Sequence, residues 1–152
     1  MLVTTTTEFE RFVTEVEPRL RRAFAGALGP DRSSDAVSEA LAWAWENRDR
    51  LDELRNPVGY LFRVGQSRTR RPKRPELPPP DPGRIPTIEP GLVDGLLALS
   101  ENQRTAVWLV HACSWSHAEV AEAMELGTST VATHVSRGLD ALRNHLGEVS
   151  NG

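Results

Sequence analysis

Six side chains in the last quarter of the chain combine short hydrogen-bonding groups with one cation. They are Thr128, Ser129, Thr130, Thr133, His134 and Arg137. Hydroxyl, imidazole and guanidinium groups are suited to meet base edges and phosphates when the start of a helix enters the major groove of DNA. A helix N-terminus also favours a phosphate, because its first amides have no partner within the helix. The residue types therefore predict a surface that reads DNA.

The elements that must position these residues have helix-turn-helix spacing. A short helix is predicted over 116–124, a turn over 125–127, and a longer helix from Thr128 onward. The core positions of a helix-turn-helix require particular residue types, and the sequence has them. Ala121 is the small residue at the helix crossing, Leu126 is the apolar residue in the turn, and Val131 and Val135 face inward from the second helix. Glu125 fills a turn position that usually prefers glycine, which takes left-handed backbone at little cost. Spacing alone leaves open a helical packing module without DNA contact.

A second group of cations follows the middle of the chain. Five of the seven residues from 68 to 74 are basic: Arg68, Arg70, Arg71, Lys73 and Arg74. One interpretation is an arm that contacts phosphates. The alternative is a solvated charge run at the edge of a domain.

Composition describes a soluble protein that works inside a cell. Of the 152 residues, 39% are hydrophobic and 26% are charged, and no apolar run is long enough to cross a membrane. The start of the sequence lacks a secretory signal, and the single Cys113 cannot form an internal disulfide, so we expect a cytoplasmic protein. Net charge is −3, and residues 91–152 carry three arginines and seven acids. Phosphate attraction in that part must therefore come from a few residues or from elsewhere.

The sequence predicts that the protein is not an enzyme and that it binds neither a metal ion nor a cofactor. His111, Cys113 and His117 lie close together, but a structural zinc site normally takes four ligands. No Ser-His-Asp order, phosphate-binding loop or pair of carboxylates stands out.

Proline divides the chain. Eight of the eleven prolines fall within residues 72–90, where they favour an extended linker. Helical periodicity on both sides predicts an all-α protein with two small domains, 1–71 and 91–152, and the second is a four-helix domain that contains the helix-turn-helix.

Helix ends and core residues follow from local patterns. Pro18 is expected either to kink the first helix or to open a new one, and Ser34 or Asp35 to cap the next. Pro57 suits the first turn of a third helix, after a polar connection. Capping boxes are expected at two serines, Ser100 and Ser116. Two tryptophans are expected in the core, Trp45 and Trp108, whereas Trp43 lies off the apolar stripe of its helix and Trp115 could staple the helix at Ser116.

Several segments in order resemble one family. Four segments of the C-terminal part resemble region four of extracytoplasmic-function RNA polymerase sigma factors. They are Leu96–Arg104, Ser116–Met124, Ser129–Val131 and Arg137–Arg143. Response regulators of the LuxR class share part of that pattern. Four segments of the N-terminal part resemble region two of the same sigma factors, and they favour that family over the regulators. These segments are Glu8–Val13, Pro18–Ala23, Asp35–Leu41 with Trp45, and Asn56–Leu61 with Arg63 and Val64.

The resemblance implies a division of labour. Region two would bind the clamp of core RNA polymerase through Asp35, Glu39 and Trp43, and would read and help to open the −10 element. The residues implied for the −10 element are Tyr60, Arg63, Ser67, Arg68, Arg70 and Arg71. Region four would bind the polymerase flap, and the Thr128–Arg137 surface would read the −35 element. The implied partners are core polymerase, promoter DNA and, as a further candidate, an anti-sigma factor.

Two positions depart from the family. It usually has glutamine at the position of Ser38 and asparagine near that of Ser67. These departures and the net negative charge of residues 91–152 keep open a degenerate sigma-like protein that binds partners without initiating transcription. The pattern shared with the LuxR class keeps open a regulator of that type, which would bind palindromic DNA as a dimer.

Overall fold

The structure, a computed structural model, describes residues 5–69 and 92–151, which we call the N-terminal and C-terminal halves. The α-helices in these ranges are α1 (Thr6–Leu28), α2 (Pro30–Glu46), α3 (Pro57–Thr69), α4 (Leu92–Ala98), α5 (Glu101–Val107), α6 (His117–Met124) and α7 (Thr128–Asn151). A 3-10 helix (Arg48–Glu53) lies between α2 and α3, and a π-helical segment (Trp108–Ala112) follows α5. Neither described range contains a β-strand, and the all-α prediction is confirmed. The predicted linker, 72–90, lies outside the described residues.

Local side-chain chemistry sets both ends of α1. The Thr5 hydroxyl accepts a hydrogen bond from the Glu8 amide at 3.2 Å, and the Glu8 carboxylate accepts one from the Thr5 amide at 3.3 Å. This capping box satisfies two amides that a helix start otherwise leaves unpaired. The helix is continuous across Pro18, so of the two alternatives for this proline a new helix is wrong. It ends at Gly29, whose φ of 82° costs little only for glycine.

The second helix begins earlier than the sequence pattern predicted. It starts at Pro30, and neither Ser34 nor Asp35 is its cap. Gly29 turns the chain, and Pro30 fits the first helical turn because an amide there would have no intrahelical partner. The prediction that Pro57 begins a third helix is confirmed.

Aromatic stacking holds α1 against α3 in the N-terminal half. The rings of Phe24 and Phe62 are fully buried and stack with centroids 4.7 Å apart. Leu20, Val58 and Leu61 are buried with them. Close packing of this kind fixes the face that α3 turns away from the core.

The prediction that Trp45 lies in the core is wrong. Its side chain is 42% exposed, with Phe9 packed edge-on at 5.0 Å and the Arg48 guanidinium over the ring at 4.2 Å. Trp45 is next to the last residue of α2, and its ring lies between Phe9 and Arg48 at that end of the helix. An amphipathic stripe gives the face of a helix and does not give how fully each side chain on that face is covered.

Both predicted helix starts in the C-terminal half carry a serine cap. The Ser100 hydroxyl accepts from the Gln103 amide at 3.2 Å, but the Gln103 side chain does not return a bond to the Ser100 amide, so the capping box predicted there is only half formed. Ser116 and Glu119 form the reciprocal capping box at the start of α6, with both hydrogen bonds at 3.1 Å. Ala121, Val131 and Val135 are buried at the crossing of α6 and α7, as the helix-turn-helix spacing predicted. Glu125 ends α6 in left-handed backbone, with φ 56°.

The two halves share one apolar core. The Trp115 side chain is 3% exposed and packs edge-on against Phe62 of α3, with ring centroids 5.7 Å apart. The indole of Trp108 lies on Gly26 of α1 and donates a hydrogen bond to the Arg22 carbonyl at 3.2 Å. Helix α6 packs along α3. We call this contact the interdomain interface. Its N-terminal side is formed by α1 and α3, and its C-terminal side by the π-helical segment, Trp115 and α6.

Candidate nucleic-acid interface

The predicted DNA-reading residues lie at the start of α7, on a surface that the interdomain interface leaves open. Thr128, Ser129, Thr130, Thr133 and Arg137 are exposed, and His134 is half-buried. Thr133 donates its hydroxyl proton to the Ser129 carbonyl at 3.1 Å, so its oxygen remains free to accept from a base or a bound water. The surface therefore offers donors, acceptors and one guanidinium within about three turns of the helix start.

Fixed charge on this surface is small. Arg137 is exposed. Arg143 pairs with Asp140, three residues before it in α7, with the charged atoms 3.6 Å apart. Phosphate contacts give most of the affinity of a DNA-binding protein. We expect the isolated C-terminal half to bind duplex DNA weakly, which makes an additional source of affinity necessary.

A second group of predicted residues meets on the outer face of α3. Tyr60 packs against Trp43 with ring centroids 5.0 Å apart, and the Arg63 guanidinium lies over the Tyr60 ring at 4.7 Å. Trp43, Arg63 and Ser67 line one cavity of about 330 Å³, together with Val64, Arg68 and Glu125. We call it the α3 cavity. An aromatic floor beside two guanidinium groups suits the stacking of an unpaired base and the binding of its phosphate.

The residues predicted to face polymerase do not form one cluster. Asp35 and Glu39 line a cavity of about 180 Å³ between α2 and α3, with Arg32, Ser38, Arg68 and Thr69. Glu39 pairs with Arg68 at 3.4 Å. Trp43 lies instead with the α3 residues. Arg70 and Arg71, also predicted for the −10 element, lie outside the described residues.

Sequence reasoning missed the interdomain interface and its charges. The Arg19 guanidinium donates to the Glu119 carboxylate at 2.8 Å and lies 5.7 Å from the centre of the Trp115 ring. Arg63 lies 3.8 Å from Glu125 and 4.0 Å from Glu122. The only sequence signals were glycines on helical segments: a Cβ on Gly26 would clash with Trp108, and one on Gly59 with the Glu119 carbonyl.

Glu119 links the helix cap to the interdomain interface. Burial raises the pKa of its carboxyl, but hydrogen bonds from Arg19 and Ser116 and the charge of Arg19 outweigh burial and hold the pKa below its usual value of 4.5. The stabilisation is therefore complete above that usual value and is lost as pH falls through the lower pKa of the folded protein.

We expect Glu119→Gln to lower the free energy of unfolding by about 0.5–1 kcal/mol at neutral pH and to flatten its loss on acidification. Glutamine keeps the capping box, so the change isolates the ion pair with Arg19. Urea unfolding at about pH 6 and about pH 4 measures both effects. Equal losses on acidification in the wild type and the variant would contradict this assignment.

Two other findings concern the described residues only. His111, Cys113 and His117 do not come together there, and no group of three His, Cys, Asp or Glu side chains could hold a metal ion. Among the described helices, none has the length and apolar character needed to cross a membrane.

Comparisons with known proteins concern the C-terminal half and the fold of the chain. Residues 92–142 match the family described as sigma-70, region 4. The fold is similar to that of the sigma factor RpoE from Bartonella quintana, in its co-crystal structure with the anti-sigma factor NepR, with a TM-score of 0.68 and 21% identity. The match covers 93% of this chain and 98% of that chain. A search of curated proteins found no match.

Proposed function

We propose that this chain, whose residues 92–142 match the sigma-70 region 4 family and whose fold is similar to that of a sigma factor, binds core RNA polymerase and directs promoter recognition. One observation carries the proposal. An open recognition helix lies in the same chain as a second surface, on α3, that presents aromatic and cationic side chains. One surface suits duplex DNA and the other suits an unpaired strand, and initiation at a promoter requires both.

In this proposal α7 reads the −35 element. Thr128, Ser129 and Thr130 enter the major groove at the helix start, and Arg137 contacts a phosphate or a base edge. The net negative charge of residues 91–152 keeps free DNA binding weak, so core polymerase supplies the missing affinity.

The α3 surface reads and holds the −10 element. Tyr60 and Trp43 offer ring faces to an unstacked base, and Arg63 and Arg68 offer guanidinium groups to the strand. Ser67, where the family usually has asparagine, keeps a hydroxyl in the same cavity. The role is that of a non-catalytic specificity subunit in the cytoplasm, where polymerase works.

Asp35 and Glu39 are the proposed contacts with the polymerase clamp. Both are exposed on α2, and carboxylates there suit basic residues on a partner. The similar sigma factor RpoE was crystallised with an anti-sigma factor. We propose an anti-sigma factor as a second partner of this chain.

Co-purification with core polymerase tests the proposal, and Arg137→Ala separates its parts. We expect the wild type and this variant to bind core equally. The variant should lower promoter affinity of the assembled enzyme by about tenfold, because a guanidinium contact to a base or phosphate is lost. Asp140→Ala, one turn along α7, is the control and should not lower promoter affinity, because it removes an acid and releases Arg143.

The alternatives predict other results. A LuxR-type regulator would dimerise on palindromic DNA and ignore core polymerase. A sigma-like interaction protein would bind core, and Arg137→Ala would change nothing. Either result would overturn the proposal.

A further inference from the structure

The buried residues of α7 determine which of its side chains can face DNA. Val131, Val135 and Gly138 are buried. A Cβ on Gly138 would clash with Val107 of α5, so this side of α7 rests on the remainder of the C-terminal half. At about 100° per residue, the three buried positions lie roughly 140–160° around the helix from Thr133. Thr133 is exposed and therefore points away from the core.

Three side chains form one stripe on this outward face. Ser129 and Arg137 are exposed, and they lie four residues before and after Thr133, about 40° around the helix on either side. Thr128 and His134 are about 140° and about 100° away from Thr133, so they flank the stripe. We call Ser129, Thr133 and Arg137 the reading stripe, because these three side chains face the floor of the groove when α7 enters it.

The hydroxyl group of Thr133 already donates its proton within the helix. Its oxygen lies 3.1 Å from the Ser129 carbonyl oxygen, and because a carbonyl can only accept, the hydroxyl is the donor. Thr14 and Thr69 make the same bond to the carbonyl four residues earlier, at 2.9 and 2.8 Å. This bond is therefore the resting arrangement of all three threonines, and Thr133 offers DNA only the lone pairs of its oxygen.

An oxygen that can only accept discriminates among the groups that DNA presents. Phosphate oxygens, the O6 and N7 atoms of guanine and the O4 atom of thymine are acceptors too, so they repel such an oxygen. In the major groove, the exocyclic amino groups of adenine and cytosine are the groups that offer a proton. The fixed hydroxyl thus suits a base edge and not a phosphate, which separates Thr133 from residues that only position the helix.

We propose that Thr133 is a specificity residue that selects adenine or cytosine through the exocyclic amino group, and that Arg137 selects a guanine about two base steps away. Four residues separate the two side chains, which is about 6 Å along the helix, and successive base pairs are about 3.4 Å apart. The guanidinium of Arg137 suits guanine because it can donate two hydrogen bonds, to O6 and N7. This inference rests on the proposed function, because it takes α7 as a reader of duplex DNA.

The test uses core polymerase with this protein bound and a promoter library in which the −35 element is randomised. Sequencing of the bound fragments gives the preferred base at each position. We expect the wild type to prefer adenine or cytosine at one position and guanine about two positions away. Thr133→Val should weaken the first preference by about three- to tenfold and keep the others, because valine has the shape of threonine but no lone pair.

Two further variants make the result specific to the hydroxyl of Thr133. Thr133→Ser keeps the hydroxyl and should keep the preference. Thr14→Val is the matched control, since Thr14 is an exposed threonine of α1 with the same intrahelical bond. It should change the preference at no position. Circular dichroism confirms that each protein remains helical.

Removal of the amino group from the DNA completes a double-mutant cycle. Purine replaces adenine, or a pyrimidinone without the amino group replaces cytosine, at the position that Thr133→Val affects. We expect the wild type to lose about three- to tenfold in affinity and Thr133→Val to lose nothing further. Equal losses in both proteins would overturn the proposal, as would a wild-type preference for guanine or thymine at that position.

The outcome is separable from that of the proposed function. A preferred −35 sequence in the wild type that Thr133→Val leaves unchanged would keep the sigma role and reject the reading role of Thr133. A polymerase that shows no −35 preference with this protein bound would reject both.

Discussion

Gly26→Ala is expected to open the interdomain interface while both halves stay folded. The new methyl group would clash with the indole of Trp108, whose hydrogen bond to the Arg22 carbonyl fixes it on α1. Alanine also favours the helix more than glycine does, so α1 itself should not weaken. The strain therefore falls on the contact between the halves.

Cys113 reports this opening directly. Burial raises the pKa of its thiol to about 11, although the nearby Arg22 and Arg19 of α1 act to lower it. Opening frees the thiol from α1 and restores a more ordinary pKa, and both effects speed alkylation. Overpacking of this kind costs about 1–3 kcal/mol, so we expect iodoacetamide to react at least about fivefold faster than with the wild type.

Gly147→Ala is the matched control. Gly147 is also helical, in α7, and a Cβ there meets nothing within 4 Å. Alanine raises the helix propensity of α7 by the same amount as it does in α1, but Cys113 should react with iodoacetamide as slowly as in the wild type. Equal alkylation rates in all three proteins would show that Gly26 does not hold the interface closed.

Phe62→Ala is expected to lower the free energy of unfolding by about 3–5 kcal/mol. The side chain is fully buried, stacked on Phe24 at 4.7 Å and in edge contact with Trp115 at 5.7 Å. Its removal leaves a cavity where the cores of the two halves join. Guanidinium titration followed by tryptophan fluorescence measures the loss.

Leu97→Ala is the control for this substitution. Leu97 is 64% exposed on α4, so its truncation should cost less than about 0.5 kcal/mol. A loss as small as that of the control would mean that Phe62 is not buried against Phe24 and Trp115 in solution.

Local chemistry explains why so much of the helical fold was predictable. Ser116 and Glu119 cap α6 as their spacing required, and the inward positions Val131 and Val135 are buried. Glu125 takes the left-handed backbone that the turn demands. Each of these features depends on residues close together in sequence, where propensity and hydrogen bonding decide the outcome.

Two errors concern the two ends of α2. A serine or aspartate cap was predicted for α2, but Gly29 and Pro30 start it earlier. Trp45 follows an apolar stripe, yet its side chain is 42% exposed near the end of α2. Periodicity gives the face of a helix that packs inward and does not give how fully each side chain is covered.

The interdomain interface was beyond sequence reasoning because its partners are far apart in the chain. Arg19 and Glu119 are separated by 100 positions, and no local rule pairs them. The prediction for the start of α7 needed no such contact, since a helix-turn-helix presents its surface by its own geometry. The α3 cavity needed both kinds of information, since Glu125 joins residues that the N-terminal half alone would have brought together.

The most direct test of the sigma role is in vitro transcription with core RNA polymerase from the source organism on fragments of that organism's genome. We predict RNA with defined 5′ ends that appears only when this protein is added, and whose start sites share sequence elements near −10 and −35. Arg137→Ala should reduce these transcripts, and Asp140→Ala should not. The same start sites with and without the protein, or no transcripts in either reaction, would contradict the assignment of this chain as a sigma factor.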